Sequence, residues 1–297
     1  MKQNNAIHPE PPPAAVKPAS RKKKNAQSNV FQKIAAVPHT VWTIMFIVAP
    51  MLFVLYFAFT DAEGHFSFSN IGDLGQYTNV FILSIAFAMI ATVVCLLIGY
   101  PLAYFMSRQS PRAQKILMVL IMLPMWCNLL IRTYALMALL DNGGLLNSLL
   151  GKLGLEPLSI VGSYFGVILG MVYDFLPYMV LPIFTAMTKL DKRYIEASHD
   201  LGCNSWQTMT KVIMPLTLSG VVSGVTMVFV PSISTFYISQ KLGAGKIDLV
   251  GDTIERLFQN ASTYNVGAAM SLAMMILIII SVAIMNKFSD EEGGMVP

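Results

Sequence analysis

The sequence predicts an all-α integral membrane protein with six transmembrane helices and both termini on the cytoplasmic side. Three observations predict it. The 297 residues are 55% hydrophobic and 12% charged, well below the roughly 25% charge of a soluble domain. Six apolar stretches each approach the roughly 20 residues that cross a bilayer as a helix. The segments between them alternate in charge. One set holds Arg21–Lys24, Lys33, Arg108, Arg112, Lys115, Lys189, Lys192, Arg193, Lys211 and Lys287; the other holds only Lys152, Lys241, Lys246 and Arg256. Cytoplasmic loops carry the excess of Lys and Arg, so the first set lies inside.

In chain order, residues 1–37 are rich in proline and carry the basic run Arg21–Lys24. Such a segment cannot bury a core and is predicted to be a disordered, basic cytoplasmic tail. The six spans fall at about 41–59, 80–106, 116–140, 164–186, 212–233 and 266–285, within one domain over 38–288; residues 289–297 form a short cytoplasmic tail. The outer loop at 60–79 carries Asp61, Glu63 and Asp73, and the loop at 141–163 turns at Gly143-Gly144. In the loop at 235–265, Leu249, Val250, Ile254, Leu257 and Phe258 share one face of a short amphipathic helix, which either caps the bundle or offers a docking surface. Gly166-x-x-x-Gly170 and Gly220-x-x-x-Gly224 permit close helix approach, read as packing inside the chain.

Two charges sit within spans. Asp174 is about 15 Å below the outer end of the fourth span, and Arg132 about 24 Å up the third. An ionised side chain at such depth is expensive and usually functional. Two readings stand side by side. In one, Asp174 and Arg132 pair across a depth difference of about 9 Å. In the other, Asp174 lines a cation path with Tyr173, Tyr178, Trp126 and Arg132, whose aromatic members supply cation–π attraction.

The cytoplasmic loop at 187–214 is patterned differently. Tyr194, Ala197 and Leu201 fall three and four apart on one helix face. Gly202 ends that helix, Asn204 or Ser205 caps a second, and Pro215 stands near the start of the next span. The expected form is a helix–Gly–helix elbow. No catalytic constellation accompanies it. Gly151-Lys152 and Gly245-Lys246 lack the rest of a phosphate-binding loop, so the chain itself binds no nucleotide cofactor. Cys95, Cys127 and Cys203 show no paired spacing and the histidines no cluster, so no metal site is expected. The basic tail is read as a topogenic charge beside the bilayer and not as a nucleic-acid site.

Glu196-Ala197-Ser198, three residues, Gly202, nine residues and Val212-Ile213-Met214-Pro215 resemble the cytoplasmic loop motif of the permeases of binding-protein-dependent ATP-binding cassette importers. Ser198, Val212 and Met214 depart from the motif by small changes, with its spacing intact. The stretch Pro124-Met-Trp126-Cys-Asn128-Leu-Leu-Ile-Arg132-Thr-Tyr134 is similar to spermidine/putrescine importer permeases, as is Tyr173-x-x-x-Pro177-Tyr178-Met-Val-Leu-Pro182. The resemblance implies an importer-permease helical bundle in the cytoplasmic (inner) membrane. It implies a non-catalytic subunit whose partners are an ATPase dimer, a second homologous permease and an extracytoplasmic substrate-binding protein. It places Glu196, Ala197, Ser198, Gly202 and Pro215 in the loop that couples to the ATPase, with a polyamine as cargo. Two alternatives remain: the same importer class carrying another small cation or a metal chelate, and a stand-alone ion-coupled transporter.

Overall fold

The computed structural model describes residues 37–61 and 63–293. The expected disordered tail falls on residues 1–36, outside the described residues, as does the end of the C-terminal tail at 294–297. Every named element among the described residues is helical. The main helices, in order, are α1 (Val37–Ala58), α2 (Thr78–Ser107), α3 (Pro111–Trp126), α4 (Leu129–Leu140), α5 (Leu145–Lys152), α6 (Tyr164–Thr188) and α7 (Lys192–Asp200). There follow α8 (Ser205–Leu216), α9 (Leu218–Ser234), α10 (Tyr237–Leu242), α11 (Val250–Phe258) and α12 (Tyr264–Gly293). Five helical segments are long and apolar enough to cross a membrane, and six with the bent pair α8–α9.

The core forms where α2, α6 and α9 pack on one another. On α2, Ala91, Cys95, Gly99 and Ala103 recur every four residues and are all buried, which makes one small-residue face. Met179 of α6 fills the space that two glycines leave. A β-carbon at Gly99 would stand 3.0 Å from its Cγ, and one at Gly224 would stand 2.9 Å from its sulfur. A β-carbon at Gly220 would lie 2.6 Å from that of Ala186. The glycine pairs therefore serve packing inside the chain, as expected. Lipid is as apolar as a leucine, so close contact of this kind has to replace the hydrophobic drive between helices. α6 is the most enclosed span, with 61% of its apolar window buried against 17% for the last span.

Two spans depart from expectation. The third, expected as one helix over 116–140, is two: α3 stops at Trp126 and α4 starts at Leu129. Cys127 and Asn128 are extended between them, with ψ of 144° and 134°. The Asn128 side chain accepts the Leu130 N–H at 2.8 Å and so caps the new helix. An asparagine prefers that capping position to a helix interior, and the apolar run around it conceals the signal. The fifth stretch bends by 68° between α8 and α9. Thr217 stands at the bend, fully buried, and its hydroxyl lies 3.0 Å from the Tyr100 hydroxyl of α2.

The expected amphipathic helix is α11. Leu249, Val250 and Leu257 are buried; Val250 and Leu257 pack with Leu74, Phe81, Val266 and Met274, and Leu249 joins the main core. The Val250 N–H donates to Ser84 Oγ of α2 at 2.8 Å. Its apolar face is thus turned onto the bundle, which makes α11 a cap.

Candidate functional site

The elbow is built by local rules. Asp191 caps α7, its carboxylate accepting the Arg193 N–H at 3.0 Å. At the other end, Cys203 N–H donates to Ser198 O at 3.0 Å and Gly202 N–H to His199 O at 2.9 Å. Those two bonds form the Schellman closure, which needs a left-handed residue between them. Gly202 supplies it with φ of +81°. Asn204 and Gln207 then close a capping box on α8, with bonds of 2.8 and 3.0 Å.

The two arms are tied together. Ser198 Oγ donates to Ile195 O at 2.7 Å and lies 3.0 Å from Thr208 Oγ1. With the serine proton used on Ile195, Thr208 donates between the two hydroxyls. Both residues are buried, so this bond fixes the angle of the elbow from inside. By sequence Ser198 is only a small departure from the motif, and no local signal singles out Thr208. Outward, the elbow presents Tyr194 (52% exposed), Trp206 (75%) and Leu201 (85%). Glu196 and Ala197 are exposed beside them. Large apolar side chains so bare on a polar loop are what a groove in a partner would cover. Pro215 lies in the last turn of α8, just before the bend.

The second site is inside the bundle. Arg132 Nε of α4 lies 2.5 Å from Asp174 Oδ1 of α6, and both side chains are buried. Thr133 Oγ1 lies 3.2 Å from the other carboxylate oxygen. Arg132 Nη1 donates to the Pro124 carbonyl of α3 at 3.2 Å, and the guanidinium stands over the Tyr173 ring at 5.9 Å. One arginine therefore joins α3, α4 and α6. The depth difference of about 9 Å read from sequence takes the third span as one unbroken helix rising 1.5 Å per residue, whereas a new helix starts at Leu129, one turn before Arg132. Of the candidate path residues, the structure brings Asp174, Arg132 and Tyr173 together. Trp126 is exposed at the end of α3, and Tyr178 rests against Phe175 at 6.3 Å between ring centres. Thr133 and the Pro124 carbonyl escaped the sequence reading, because neither bears a charge.

Among the described residues no group of His, Cys, Asp or Glu could hold a metal ion. The three cysteines are free.

The family model for the binding-protein-dependent transport system inner membrane component matches residues 96–291. The spermidine/putrescine transport system permease protein PotB of Haemophilus influenzae is 37% identical over 261 residues, covering 84% of this chain and 91% of that protein. The protein of the same name in Escherichia coli is 34% identical over 247 residues, covering 80% and 90%. A subunit in the crystal structure of a bacterial alginate ABC transporter, in complex with an alginate-bound periplasmic protein, superposes with a TM-score of 0.72 at 17% identity, over 91% of this chain and 97% of that one. At that identity the likeness is one of fold. Sequence, helical architecture and elbow agree: the chain belongs to the family of inner-membrane components of binding-protein-dependent transport systems.

Proposed function

We propose that this chain is the transmembrane permease subunit of an ATP-driven polyamine importer of the spermidine/putrescine type. The observation that carries the importer reading is the elbow: a preformed helix–Gly–helix projection with bare Leu201 and Trp206. An isolated ion-coupled transporter has no use for such a projection. The cargo reading is supported by the 37% and 34% identity to proteins named for spermidine and putrescine.

In this reading the chain catalyses no reaction and binds no nucleotide. An ATPase dimer receives the elbow in its grooves. A second homologous permease completes the path, and an extracytoplasmic binding protein delivers the cargo. Both termini and the elbow face the cytoplasm, following the Lys and Arg asymmetry. Closure of the ATPase dimer moves the elbow and α8, and the spans exchange inward-open for outward-open states. Trp126 offers an exposed aromatic face to an ammonium cargo, while the Arg132–Asp174 pair, with Tyr173 under the guanidinium, fixes the helices around it.

The test is reconstitution. The full complex in proteoliposomes, with ATP inside and binding protein outside, should accumulate labelled putrescine or spermidine. Accumulation of a metal chelate in place of both would overturn the cargo reading and leave the importer class standing.

A further inference from the structure

The short helix α10 docks on α6 through one face. Ile238 and Leu242, four residues apart, are fully buried, and a β-carbon at Gly170 would strike both. Tyr237 and Lys241, also four apart, share the adjacent face and meet Tyr134 of α4 there. The Lys241 ammonium stands 5.0 Å from the centre of the Tyr134 ring and 5.5 Å from that of Tyr237. The two rings meet edge to face at 5.8 Å. Among the described residues no carboxylate pairs with Lys241. Its charge is held by the two rings and by a hydrogen bond with the Tyr134 hydroxyl.

The carboxylates beside α10 are engaged by other groups: Glu255 accepts from Gln240 Nε2 and Asp252 from the Leu249 N–H. Asp174 is engaged by Arg132 and by Thr133. An ammonium entering beside α4 meets tyrosine faces, whose negative quadrupoles attract it within about 6 Å. The face is not sealed, because Tyr134 is 47% exposed. A lysine side chain ends in a primary ammonium on a four-carbon stem, the same group as either end of a 1,4-diaminoalkane.

We propose that Tyr134 and Tyr237 form an ammonium-binding site on the translocation path, occupied in this conformation by the tethered ammonium of Lys241 and taken over by a primary ammonium of the cargo. The proposal rests on the polyamine reading above and adds to it the residues that receive the charge. Lys241 then acts as a built-in competitor. It keeps the site filled when cargo is absent and keeps the binding of cargo weak, as passage requires.

The test measures putrescine binding to the whole transport complex in nanodiscs without the binding protein, with 1,4-butanediol as the uncharged control. A tethered competitor acts at an effective concentration in the millimolar range, so Lys241→Met should tighten putrescine binding about tenfold. The diol should bind neither form. Adding Tyr237→Leu or Tyr134→Leu to Lys241→Met should abolish the gain, while Tyr237→Phe keeps it. Equal putrescine affinity in wild type and Lys241→Met overturns the proposal, as does an unchanged affinity on loss of either ring. If the wild-type complex imports no polyamine while Lys241→Met binds putrescine as expected, the cargo reading fails and the ammonium site stands.

Discussion

Replacing Asp174 with asparagine separates the two roles that its depth suggests. The change keeps the size and one carbonyl acceptor but removes the charge that faces Arg132 Nε at 2.5 Å. Arg132 is 8% exposed and cannot turn to water. Breaking a buried pair on one side costs about 3–5 kcal/mol. The low end applies, because the Pro124 carbonyl and the Tyr173 face still hold the guanidinium. A loss of about 3 kcal/mol corresponds to a fall of roughly 6–12 °C in the thermal midpoint. Adding Arg132→Gln removes the stranded charge and should recover most of that loss, a coupling of about 2 kcal/mol in a double-mutant cycle. The assay is thermal unfolding of the detergent-solubilised complex, followed by the fraction of chain that remains assembled. If Asp174→Asn assembles and melts like wild type yet imports no polyamine, the pair is not a structural tie. The carboxylate then acts on the cargo.

Three further outcomes are expected. Gly202→Val meets no neighbour within 4 Å, so its cost is backbone alone; a side chain at φ of +81° costs about 1–2 kcal/mol or more. The complex should still assemble but lose substrate-stimulated ATPase activity, while Gly202→Asn retains it; full stimulation in the valine variant would refute the coupling role. In a background lacking the native cysteines, His65→Cys should react with an impermeant maleimide from outside and Arg193→Cys should not. Both native side chains are highly exposed, so reversed labelling means reversed orientation. Burial pushes the Asp252 carboxyl up to about 6, with Asp248 and Glu255 adding in the same direction. A raised carboxyl costs stability once ionised, so the cap should weaken as pH rises through about 4 to 6. Asp252→Asn should then raise the thermal midpoint at pH 8 and leave it unchanged at pH 4, a difference worth roughly 2–3 kcal/mol. Identical pH slopes in the two proteins would disprove it.

What the sequence discloses here depends on the range of the interaction. The elbow was legible because its determinants are local. Asp191, Gly202 and Asn204 each act on backbone groups within a few residues. The amphipathic face of α11 was legible for the same reason, although hydropathy alone could not say whether it met lipid or protein. The tie between Ser198 and Thr208 was not legible, since ten residues separate them and only the closed turn brings the hydroxyls to 3.0 Å. The broken third span was half legible. Pro124 and Asn128 are the residues that interrupt a helix, but a hydropathy window averages over both.

That break also explains why a charged pair lies inside the bundle. Interrupting a helix in an apolar run frees backbone polar groups that apolar surroundings cannot satisfy. Asn128 supplies an acceptor on the α4 side. On the α3 side, the Pro124 carbonyl receives the Cys127 N–H at 3.1 Å and Arg132 Nη1 at 3.2 Å. An arginine reaching that carbonyl brings a full charge into the apolar interior, which demands a counter-charge. The nearest enclosed helix is α6, and Asp174 provides it. The planar fork of arginine meets the carbonyl and the carboxylate at once, a geometry that a lysine ammonium cannot reproduce. The break, the arginine and the aspartate are thus successive consequences of one decision, to start a new helix at Asn128.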